Sequence, residues 1–169
     1  TVEACALDIK QACGVLGLEP ICVIGHSFGG KVALICAGVM PSITSAWLLD
    51  TALGIVAKNN PGFSTLQVVD ALEQISWPKA SRKDLVDELL SLGVTLQIAL
   101  WMTTNVYEVE DGLRLLFQPR EIKALLHDFL TLDGWPLIES ISQIKDIHVV
   151  SAEFGYRLEA RDHARLNNI

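Results

Sequence analysis

The chain has 169 residues, enough for one domain, and half of them are hydrophobic, which excludes disorder and leaves ample material for a core. The formal charge is −7, without a Lys or Arg run, so a phosphate backbone is not an expected partner. Four cysteines, Cys5, Cys13, Cys22 and Cys36, occur without a C-x-x-C pair and are expected to be buried thiols rather than a disulfide framework, and no apolar run is long enough to span a membrane.

The elements follow in chain order. Val2, Cys5, Ala6, Ile9, Cys13 and Leu16 form one stripe at helical spacing, which predicts a helix over 2–16. Gly17 and the Glu19–Pro20 pair stop it. Residues 21–24 are a continuous apolar run, the pattern of a strand buried on both faces. A helix is expected over 31–39, with Pro41 beyond its end, and a second buried strand over 45–49, ending at Asp50. Helix, strand, helix, strand implies a parallel α/β sheet.

Residues 51–136 change character. Ser64 with Gln67 resembles a capping box opening a helix to about 75, and Ser81 with Asp84 opens another to about 93. Thr95 starts a third through Trp101, and Pro119 a fourth to about 130. With no buried strand expected between them, 51–136 is assigned as a helical cap inserted into an α/β core of 1–50 and 137–169. A separate helical domain is the other reading. Residues 147–150 return to the strand pattern, and 158–166 to helix.

The segment Gly25-His-Ser-Phe-Gly29 matches G-x-S-x-G between an expected strand and an expected helix. In that context Ser27 would sit on a sharp, strained turn with its hydroxyl raised above the sheet edge. Gly25 and Gly29 would let strand and helix approach without Cβ clashes. The backbone amide of Phe28, at the helix start, would face a developing oxyanion. His26 adjoins Ser27 and cannot present its imidazole to the neighbouring hydroxyl, so a packing role is expected for it.

The run from Cys22 to Ala33 resembles the nucleophile elbow of the α/β-hydrolase superfamily. Trp47–Asp50, Trp101–Asn105, and His148–Glu153 with Arg157–Asp162 are similar to an esterase-like branch with bacterial and plant or algal members. The resemblance implies an α/β fold: a partial α/β-hydrolase, mainly parallel sheet with an inserted helical cap. It implies a serine, an acid and a histidine in that chain order. The acid would be Asp50, or Glu153 one strand later. Asp50 is preferred because it ends an apolar strand at the carboxyl edge of the sheet; a turn residue and a solvated charge are the plain readings of the two. The base would lie beyond one more helix and strand after His148. His163 falls in a helical pattern, His127 in a cap helix and His148 within a strand, so the base is expected outside this chain, which reads as truncated at both ends.

The implied activity is hydrolysis of a small carboxylic ester or thioester through an acyl-enzyme on Ser27, with no metal or cofactor. Residues 1–169 alone are not expected to turn over esters. Leu100, Trp101 and Leu116 would either line an apolar acyl pocket or pack in the core. The reading from another class is a non-catalytic α/β-hydrolase-fold protein that binds a ligand or partner.

Overall fold

The helical stripe at the start of the chain forms α1 (Val2–Leu16). Thr1 caps it by accepting from the Ala4 amide, and Gly17 closes it at φ 66°, a left-handed conformation that glycine adopts without a Cβ penalty. Only the first half of the stripe is buried: Val2 and Ala6 point inward, whereas Ile9 and Leu16 are exposed. The computed structural model describes residues 1–57, 64–153 and 157–167.

Three strands make a parallel sheet in the order β1 (Cys22–His26), β2 (Ser45–Leu49), β5 (Asp146–Val150). Helix α2 (Phe28–Val39) packs on β1 and β2, and α1 packs on α2. That covers one face, where Gly25, Ala46 and Leu48 are buried. On the other face Ile24, Trp47 and His148 are register partners and exposed, with the Trp47 and His148 rings stacked at 4.1 Å. The expectation of strands buried on both faces is therefore corrected. β1 is an edge strand and only one face of the sheet is covered among the described residues, which leaves Ile24 66% exposed.

The same geometry corrects the cysteines. All four are free thiols, but only Cys36 is buried; Cys5 and Cys13 are half-buried, and Cys22, opening the edge strand, is exposed.

The chain divides into two compact units, Thr1–Gly62 with Leu126–Ile169, and Phe63–Leu125. The second is narrower than the expected 51–136. Hydrogen bonds explain why the flanks belong to the α/β unit: Val56 N–H donates to Leu130 O (2.9 Å), Gly134 N–H to Leu53 O (2.8 Å), and Lys31 Nζ to Gly54 O, Phe129 O and Leu132 O. These bonds draw both flanks onto α2. A helix the sequence pattern does not announce, α7 (Trp135–Ile141), follows at once, with Pro136 in its first turn. It buries Trp135, Ile138 and Ile141 and packs against α2. Helix α8 (Ala160–Leu166) ends the unit, opened by a reciprocal capping box between Glu159 and Asp162.

The second unit contains α3 (Ser64–Gln74), α4 (Arg82–Ser91) and α5 (Leu96–Met102), then a 3-10 turn over Thr103–Asn105; α6 (Pro119–Thr131) begins at the proline expected to open it. Ser81 caps α4 as its spacing to Asp84 predicts, its hydroxyl accepting from the Asp84 amide at 3.1 Å. The Ser64 side chain lies outside the described residues. The unit is not all helical. β3 (Val106–Val109) and β4 (Gly112–Leu115) form an antiparallel hairpin, and Lys79 exchanges backbone hydrogen bonds with Leu113. Each strand has four residues and buries a single one, Val106 and Leu113, which is too short for period-two alternation to show. Leu72, Leu85, Leu89, Ala99, Met102 and Leu113 belong to its core. Leu100, Trp101 and Leu116 do not: they are 52%, 63% and 63% exposed, so core packing is ruled out for all three.

Candidate active site

β1 ends at His26 and α2 begins at Phe28, so Ser27 alone makes the turn from strand to helix. Its φ is 52° and ψ −117°. A non-glycine residue held there stores strain of roughly 1–3 kcal/mol and needs fixed partners. They are present. Ser27 N–H donates to Leu49 O (2.9 Å), and its carbonyl accepts from Gly30 N–H (3.0 Å) and from the hydroxyl of Thr51 (2.6 Å).

The two motif glycines are not equivalent. A Cβ on Gly25 would fall 1.9 Å from the carbonyl oxygen of Gly29, so strand and helix backbones all but touch there. A Cβ on Gly29 would meet nothing within 4 Å, so the clash-avoiding role expected of both belongs to Gly25. Gly30 takes the second role. Its Cβ would lie 2.5 Å from the side chain of Thr51, which is fully buried beside the turn. Sequence reasoning passed over Gly30 and Thr51; the doubled glycine Gly29–Gly30 was the available signal. The Phe28 amide occupies the first helical position, where backbone N–H groups have no acceptor within the helix.

Asp50 stands at the corresponding place one strand over. His26, Leu49 and Val150 are in register at the ends of the three strands, so Ser27 and Asp50 are the next residues along neighbouring parallel strands. Asp50 also has positive φ, 43°, and its N–H donates to Val150 O at 2.7 Å. Its Oδ1 is buried without a hydrogen-bond partner among the described residues. An acceptor left so is unfavourable by about 1–3 kcal/mol, and a donor such as an imidazole N–H would relieve it.

Glu153, the alternative acid, is exposed in a turn beyond β5. The histidines are dispersed. His26 is exposed at the end of β1, His127 on α6 and His163 on α8, and His148 stacks on Trp47. The structure thus brings Ser27, Phe28 and Asp50 to one sheet edge and leaves Glu153 and every histidine without a bond to Asp50 Oδ1. Among the described residues, no three His, Cys, Asp or Glu side chains converge to hold a metal ion, and no helix is long and apolar enough to cross a membrane.

No family model matches the sequence. Solved structures do. A marine microorganism esterase superposes with a TM-score of 0.73 at 22% identity, over 92% of this chain and 70% of that one. E-2-(Acetamidomethylene)succinate hydrolase gives 0.63 at 17% identity, over 96% and 59%. The thioesterase domain from the curacin biosynthetic pathway gives 0.56 at 15% identity, over 96% and 61%. The chain has the α/β-hydrolase fold. It spans about 59–70% of the length of these structures, and at these identities the likeness is one of architecture. Within an α/β-hydrolase fold, the carboxyl edge of the parallel sheet is where ligand sites form, and Ser27 and Asp50 both stand on it.

Proposed function

We propose that this chain carries the nucleophile and the orienting acid of a serine hydrolase acting on carboxylic esters or thioesters. The observation that carries the reading is Ser27, held at φ 52° on the strand-to-helix turn beside a second strained residue, Asp50. Ser27 Oγ attacks the substrate carbonyl while an imidazole base removes its proton. The oxyanion that forms accepts a hydrogen bond from the Phe28 amide at the start of α2. The intermediate collapses to an acyl-enzyme, the alcohol or thiol leaves with the proton returned by the imidazole, and water then releases the acid. Asp50 holds the imidazole through its unpartnered Oδ1. None of the four histidines described above is assigned as that base, and Phe63–Leu125 is proposed as the core of the cap.

A fluorophosphonate probe applied to the full-length protein, with its base present, tests the nucleophile: labelling is expected on Ser27 and lost in Ser27→Ala. Labelling that survives the substitution rejects the assignment. The lack of an imidazole against Asp50 is equally what a non-catalytic binding protein would have. Complete absence of labelling in the folded full-length wild type favours that second reading.

A further inference from the structure

Lys31 lies one helical turn beyond Ser27 on α2 and is 1% exposed. Lysine is almost never buried so fully without fixed partners. Its Nζ donates to three backbone carbonyls: Gly54 at 2.9 Å, Phe129 at 2.7 Å and Leu132 at 2.6 Å. It also stands 4.7 Å from the centroid of the Phe129 ring. Three carbonyls match the three donors of an ammonium group. The carboxylates whose charges act on it, Asp133 and Asp128, accept instead from the amides of Trp135 and Val2.

The acceptors are not scattered. Gly54 lies four residues after Asp50, in the stretch by which the chain leaves the α/β unit. Phe129 and Leu132 lie in the stretch by which it returns after Leu125. Thr51, in the first stretch, is bonded to the Ser27 carbonyl and packed at Gly30. An apolar side chain could fill the same space, but only a three-donor group can gather three carbonyls to one point. In some proteins a buried charge of this kind is kept for specifying one arrangement more than for adding stability.

We propose that Lys31 is a positioning residue, a clamp that gathers both stretches onto the helix carrying Ser27 and so sets where Asp50 and Thr51 stand against the elbow. Its bearing on catalysis rests on the hydrolase reading; the clamp itself does not.

Amide hydrogen exchange on the wild type and Lys31→Met tests it. Protection is expected to fall at least about tenfold over 52–57 and 126–132 while β1, β2 and β5 keep theirs. No loss, or an equal loss throughout the unit, overturns the proposal. Wild-type protein gives a second measurement should Lys31→Met fail to fold. Lysine-side-chain ¹⁵N NMR should show one ammonium in slow exchange with solvent, titrating at about 8 rather than the ordinary 10.5 because burial disfavours its charge. If every lysine titrates as a solvated amine, the clamp is absent. Fluorophosphonate labelling of Ser27 in the same samples separates the two claims. Slower labelling in Lys31→Met supports the effect on the elbow. A full-length wild type that does not label but keeps the exchange pattern rejects the hydrolase reading and leaves the clamp standing.

Discussion

Gly25→Ala should be the most damaging single methyl group that can be added to the strand-to-helix turn at Ser27. The new Cβ would lie 1.9 Å from Gly29 O, 2.4 Å from Gly29 C and 2.8 Å from the Ala33 Cβ. Separations under 3.0 Å essentially never occur for a real Cβ, so backbone must move by about 1 Å at the junction of β1 and α2. Neither side yields easily. β1 is paired to β2 through Ser27 N–H and Leu49 O, and the carbonyl of Ser27 is held by Thr51. Overpacking a fixed site typically costs about 1–3 kcal/mol, and a clash with backbone at a strained turn belongs at the upper end, near 3 kcal/mol. For a domain of this size that lowers Tm by roughly 6–12 °C. Gly29→Ala is the control, because the same methyl meets nothing there and alanine is favoured over glycine in a helix by about 0.5–1 kcal/mol. Urea denaturation followed by tryptophan fluorescence, compared at equal m-values, measures both. The reasoning is refuted if Gly25→Ala lies within about 0.5 kcal/mol of wild type, or if Gly29→Ala is as damaging.

The remaining predictions concern charge. In an active protein, Asp50→Asn should lower turnover by up to about 10⁴-fold, while Glu153→Gln leaves it nearly unchanged; a crippling Glu153 substitution would transfer the role to that residue. Burial lowers the pKa of Lys31 to about 8 against the pull of Asp133 and Asp128, whereas the unfolded chain holds that proton to 10.5. The unfolded state therefore binds more protons between these values. Stability relative to Lys31→Met should rise with pH across that window, with a slope approaching about 1.4 kcal/mol per pH unit, and be flat below it. Urea titrations of the pair at pH 7, 8.5 and 10 check the sign, and a falling difference contradicts it.

The parallel order of β1 and β2 and the position of the strand-to-helix turn at Ser27 were legible because each has a local signature. A short apolar run leads into Gly25-His-Ser-Phe-Gly29, and Ser45–Leu49 is bounded as its pattern predicts. What was not legible depends on partners far along the chain. An apolar run shows that a strand has little need of water, not which of its faces has a neighbour, so the exposure of Ile24 and Cys22 has no local cue. The hairpin at Val106–Leu115 has a cue in Asp111–Gly112, but one inward residue per strand is below what periodicity detects. Lys31 is the extreme case. A lysine three residues into a helix reads as a solvated charge until the carbonyls of Gly54, Phe129 and Leu132 close on it.

Asp50 shows how far local reading reaches at the site itself. Its place at the end of an apolar strand marked it as a candidate, but nothing in the sequence announced its backbone. Glycines stand two residues to either side of Ser27; Asp50 has Leu48 and Ala52 at those places. Yet Ser27 and Asp50 are the two non-glycine residues with positive φ among the described residues, and each directly follows the register pair His26–Leu49 on neighbouring strands at the same edge of the sheet. Such conformations are uncommon, a few per cent of non-glycine residues, and each is unfavourable by about 1–3 kcal/mol. In a fold stabilised overall by about 5–15 kcal/mol, two of them on adjacent strands are a sizeable fraction. A strained turn in isolation can be an accident of connection. Here the neighbouring turns carry a serine and an aspartate whose Oδ1 has no donor among the described residues, and the hydroxyl of Thr51, which follows Asp50, donates to the Ser27 carbonyl. Strain retained at both positions is what the proposed pairing of Ser27 with Asp50 would keep.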